Sequence, residues 1–133
     1  MWEHIIFLIN MTAQKCRPLS VEEKKILDVL LREPFPGRDE IREQIRDSQV
    51  SEWPDGSGSL EFETLSKVIA PVLQRVPVEG AAGQGVDLIQ VLLHVVLGKI
   101  KHLEFVNYRE ETVIPPRAGD IVVKINQGSR NNA

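Results

Sequence analysis

Two periodicities divide this chain. Ile26, Leu27, Leu30 and Leu31 recur at the spacing of one helix face. Ser20 and Glu23 precede that stripe as a capping box, in which the Ser hydroxyl accepts from the Glu23 amide and the carboxylate reaches back. Pro34 and Pro36 end the helix. A second helix is predicted after Gly37, from Arg38 to about Ser48, with a thin apolar face of Ile41 and Ile45.

After Val50 the period becomes two. Val50 to Trp53 reads as a strand, Pro54 to Gly58 as a turn, and Ser59 to Glu63 as the return strand, with Leu60 and Phe62 on one face. Pro71 forbids a continuous helix over 64–75, so that stretch is expected to be a loop with one helical turn. Arg75 to Val78 reads as a short strand, with Pro77 marking an edge or an end, and Gly80 to Gly85 as a flexible loop. Asp87 to Leu97 is apolar on both faces. It is expected to be a central strand, either covered on both sides or covered on one and turned to an interface on the other. Gly98 turns the chain and Lys99 to Tyr108 returns. Residues 110–119 form a Pro-containing connector, and Ile121 to Ile125 a last strand or a docked extension.

Helices first and strands afterwards give an α+β class. The expectation is two N-terminal helices packed on one face of a four- to five-stranded antiparallel sheet of hairpins. Residues 17–126 form the single domain, 1–16 an N-terminal extension in which Met11 is an alternative start, and 127–133 a disordered polar tail.

Composition narrows the setting. A chain of 133 residues forms one domain and needs neither disulfides nor metal to fold. A net charge of −3 argues against non-specific nucleic-acid binding and against an anionic membrane surface. The apolar run Ile5 to Ile9 is too short for a signal peptide and follows Glu3 rather than a cation. The only cysteine, Cys16, excludes an intrachain disulfide and fits a reducing cytoplasm.

The polar cluster that stands out is His94, His102 and Glu104 on the 87–108 hairpin. Turn length decides who meets whom. A two-residue turn sets His94 with Lys101, Leu103 and Phe105. A three-residue turn with left-handed Gly98 puts His94, His102 and Glu104 on one face. Two imidazoles and a carboxylate on one face suit a divalent metal; the ordinary alternative is a hydrogen-bonded sheet histidine beside two half-exposed neighbours. Arg109, just past the return strand, and Asp55, in the turn, complete the candidate site.

Other features read as structure. Arg38, Arg42 and Arg46 line one helix face, but interleaved Asp39, Glu40, Glu43 and Asp47 make it a solvated face with intrahelical ion pairs rather than a phosphate stripe. The Asp55-Gly56-Ser57-Gly58-Ser59 run lacks the Lys-Ser/Thr of a P-loop and precedes a strand, so it is a β-turn. No catalytic motif and no cofactor signature is present in the chain.

Arg17-Pro18-Leu19 with Glu22-Glu23-Lys24, Phe35-Pro36-Gly37-Arg38, Asp55 through Phe62, Leu92-Leu93-His94-Val95-Val96 with Gly98, and Leu103-Glu104-Phe105 with Tyr108-Arg109 together resemble an uncharacterised bacterial domain-of-unknown-function family. The likeness spans roughly residues 17–116. Members of that family often carry Asp-Gly at the turn where this chain has Leu97-Gly98. The resemblance implies a shared fold and no activity. The leading functional expectation is a non-catalytic binding protein, with itself (as a homodimer) or another protein as partner. A small metal-dependent hydrolase using His94, His102 and Glu104 is the alternative, and a toxin-neutralising or regulatory partner a third reading.

Overall fold

Helix α1, Val21–Leu30, begins where its capping box places it. The computed structural model, which describes residues 16–109 and 115–126, has the Glu23 amide donating to Ser20 Oγ at 3.1 Å and the Ser20 amide donating to Glu23 Oε1 at 2.8 Å. Arg17 adds a bidentate pair to the same carboxylate, 2.8 Å to each oxygen, and a third bond to Glu52. Burial alone would raise the Glu23 carboxyl, but the hydrogen bonds from Arg17 and Ser20 outweigh it and hold the group below its usual value. One side chain thus ties the helix start to strand β1, Ser48–Glu52, where Arg17 also bridges Val50 through backbone bonds.

Helix α2, Arg38–Arg46, starts from Gly37 at φ 94°. A Cβ there would lie 2.8 Å from Val72 Cγ1, so glycine answers both the backbone and the space. The helix stops short of Ser48 because Ser48 already belongs to β1. On its arginine stripe, Arg38 pairs with Asp39, Arg46 with Glu43, and Arg42 donates to the Leu31 carbonyl at the end of α1.

Six strands form one antiparallel sheet: β1 Ser48–Glu52, β2 Leu60–Thr64, β3 Val78–Ala82, β4 Ile89–Val96, β5 Lys99–Asn107 and β6 Val122–Ile125. Their order across the sheet is β1-β2-β5-β4-β3-β6. The α+β class is as expected, with one more strand than the alternation counted. The extra strand is β6, the segment read as a last strand or a docked extension; the strand expected at Arg75 to Val78 starts only at Val78 and continues through Gly80–Ala82, which is the end of β3 and not a flexible loop. Small residues hid the true extent of β3, because Gly80 and the alanines carry no apolar alternation. Residues 64–75 contain no helical turn. Two of their amides are met by side chains, Ser66 N donating to Thr64 Oγ1 and Val68 N to Ser66 Oγ, and others by backbone carbonyls. Residues 1–15 and 127–133, to which the extension and tail were assigned, and 110–114 of the connector, lie outside the described residues.

β4 is central, between β3 and β5. Ile89, Val91, Leu93 and Val95 point to the core, joined by Ile100, Leu103 and Phe105 of β5, and the helices cover that face with Ile26, Leu27, Leu30 and Ile41. The other face of β4 (Gln90, Leu92, His94, Val96) is half-buried. Among the described residues no helix is long and apolar enough to cross a membrane.

Candidate functional site

Register sets the polar cluster. Leu97 and Gly98 both have positive φ, 52° and 79°, the signature of a tight I′ turn, and Val96 pairs directly with Lys99. A simple two-residue hairpin would then separate His94 from His102. Instead the ladder slips after Val95↔Ile100, so that His94 lies opposite His102 and Lys101 is the extra, bulged residue. A bulge reverses the alternation beyond it. The shared face expected from a three-residue turn is therefore reached by a two-residue turn plus a bulge.

On that face His94 Nε2 lies 2.8 Å from Glu104 Oε1. The rings of His94 and His102 are 5.8 Å apart, and Trp53 meets His102 edge-on at 5.2 Å. Glu61 accepts from Lys101 Nζ at 3.0 Å, while its other oxygen is 3.8 Å from His102 Nε2, too far for a hydrogen bond. His94 Nδ1 is buried without a partner among the described residues, which favours the tautomer that donates from Nε2 to Glu104. His94 thus bonds Glu104 while His102 only lies near Glu61, and the two histidines do not share a carboxylate. Among the described residues no three His, Cys, Asp or Glu side chains are arranged to hold a metal ion. What the cluster supplies is one carboxylate-oriented imidazole within a sheet-face seam.

Arg109 and Asp55 do not join it. Arg109 pairs with Asp87, which precedes β4 and lies seven residues from His94, at the end of the hairpin opposite its turn. Asp55 is occupied by the amide and hydroxyl of Ser57, and the amide bond in particular holds its carboxyl below the usual range.

Desolvation lowers the His102 pKa from its ordinary 6.5, against the opposing pull of Glu61, and the neighbouring His94, Lys101 and Arg75 lower it further. The unfolded chain titrates at the ordinary value. As pH falls below about 6.5 it therefore takes up protons that the folded chain refuses, and stability drops until the folded value is passed. Urea midpoints should fall between neutrality and mildly acidic pH, before carboxylates titrate. His102→Asn should flatten that step, and an unchanged step in the variant would reject this assignment.

A second feature lies at the hairpin end. Leu97, in the left-handed region, is 91% exposed, and Leu73 and Ile69 are 61% and 58% exposed. They are neighbours: a Cβ on Gly98 would sit 2.4 Å from Ile69 Cγ2, and the Ala70 amide donates to the Gly98 carbonyl. Val72, Leu73, Arg75, Val96 and Leu97 line a groove of about 440 Å³. Alternation could not reveal this surface, because the connector 64–75 has no period. The available signal was Leu97 itself, a large apolar residue beside Gly98 where such turns take Asn, Asp or Gly. A larger cavity, about 540 Å³, lies between the helices over Leu19, Leu27, Leu31 and Ile45. Its floor is the core itself, and Arg42 on its rim is engaged with Leu31.

Family models, curated proteins and solved structures yield no match to the chain.

Proposed function

We propose that this chain is a non-catalytic binding protein that docks a partner protein through the outer end of the β4–β5 hairpin. The observation that carries this reading is Leu97. A non-glycine residue held at positive φ costs of order 1–3 kcal/mol. Here it also presents a nearly fully exposed leucine to water, next to exposed Ile69 and Leu73. Folding gains from neither feature, whereas an interface does, because a projecting apolar anchor beside a groove is the usual form of a binding hot spot. The single cysteine fits a reducing cytoplasmic setting for such a protein.

Leu97→Asn separates the two roles. Asn suits both the backbone and the solvent, so the variant should be more stable by about 0.5–1 kcal/mol in urea unfolding. The same change should weaken the complex at least tenfold in quantitative affinity capture against the unchanged protein. If the partner is a second copy, light scattering should report a dimer that Leu97→Asn dissociates. A complex retained undiminished by Leu97→Asn removes the hairpin end as the docking surface.

A further inference from the structure

Resting on that reading, we infer that the partner segment is acidic as well as apolar: it seats an apolar side chain against Leu73, Val96 and Leu97 and places a carboxylate on Arg75. Arg75 is exposed and, among the described residues, is the only charged one lining the groove. Its backbone is fixed, since its carbonyl accepts from the Val95 amide at 2.7 Å. Its guanidinium has no hydrogen bond or ion pair among the described residues. On the adjoining sheet face Glu104 is bonded to His94, Glu61 to Lys101 and Glu79 to Asn126, while Glu63 lies exposed farther along β2. Segments 64–75 and 95–101, which form this end, contain Lys67, Arg75, Lys99 and Lys101 and no Asp or Glu. The connector's far end is where acids begin: Glu63 directly precedes it on β2, and the Asp47 carbonyl takes the Leu65 amide there. A chain with net charge −3 therefore presents a cation beside exposed Leu73 and Leu97.

This charge pattern selects among occupants. Two-fold pairing of the surface with itself would set cation against cation. An anionic bilayer is a poorer match, because each basic residue near such a surface contributes only about 1 kcal/mol and the cations unpaired here are few. An apolar group followed by a carboxylate satisfies both the groove and Arg75.

Three labelled amphipathic peptides with identical leucine positions and Glu, Gln or Lys elsewhere, titrated by anisotropy against the full chain, test the inference. The Glu peptide should bind at least tenfold tighter than the Lys peptide. Arg75→Glu should reverse that order, and Leu97→Asn should abolish binding of the Glu peptide, with circular dichroism melts verifying that both variants fold. Equal binding of all three peptides, lost on Leu97→Asn, overturns the acidic preference and leaves the docking surface standing. Failure of every peptide to bind, or Glu-peptide binding indifferent to Leu97→Asn, overturns both. Leu97-dependent sedimentation with phosphatidylserine vesicles but no peptide binding replaces the protein partner with a membrane.

Discussion

Gln44→Leu is expected to destabilise the fold by about 3 kcal/mol, although it replaces a polar residue in the core by an apolar one of similar size. Gln44 is fully buried. Its Nε2 donates to the carbonyls of Val68 and Gly98, both at 2.8 Å, and its Oε1 accepts from the Ile100 amide at 2.8 Å. The reason lies in the sheet. β2 pairs with β5 only at Leu60↔Leu103 and Glu61↔His102, so the start of β5 has no strand on that side. The Gln44 amide stands in for the missing strand and ties the connector 64–75 to the hairpin. Gly98 retains the Ala70 amide after substitution, but the Ile100 N–H and the Val68 carbonyl lose the Gln44 amide in a dry site. Unsatisfied buried groups cost about 1–3 kcal/mol each, and a loss of ~3 kcal/mol corresponds to roughly 10 °C in Tm at this size. Gln44→Glu should be at least as harmful, since it keeps the shape but points carboxylate oxygens at two carbonyls. Urea unfolding measures both, and faster exchange of the Ile100 amide should accompany them. A leucine variant as stable as the parent would show that these bonds contribute nothing net.

Gly80→Val should cost about 3 kcal/mol and Gly80→Ala about 1–2, against the ~1 kcal/mol that strand propensity alone would favour for valine. Gly80 lies in β3, with β4 on one side and β6 on the other. A Cβ added there would sit 2.4 Å from Ile121 Cγ2 and 3.3 Å from Leu30 Cδ2. Glycine at this position is a matter of close approach: it lets α1 and the segment entering β6 seat over the sheet together. Overpacking should propagate to the edge strand, so amides of Val122–Ile125 should exchange faster in Gly80→Val. A valine variant that gains stability would mean that Ile121 is not seated over β3.

Both positions carry tertiary roles that a one-dimensional pattern does not express. A glutamine between Glu43 and Ile45 reads as helix surface until the sheet is in place, and Gly80 reads as a loop residue until Leu30 and Ile121 are seen above it. The candidate site divides in the same way. His94, His102 and Glu104 were legible as a group on one hairpin, with their common face left to the turn. Arg109 and Asp55 were placed with them by proximity in sequence, and the fold pairs each with a nearer partner, Asp87 and Ser57.

By itself the sequence determined the capped helix α1, the long β4–β5 hairpin, the β1–β2 hairpin and the α+β class. Each rests on local chemistry or on a side-chain period that survives without knowledge of neighbours. Only the tertiary structure decided that 122–125 pairs as a sixth strand, where β3 runs, the bulge at Lys101, the strand-like role of Gln44 and the apolar hairpin end beside Arg75. Those depend on which backbone groups and volumes meet across the sheet, and residues distant along the chain supply them.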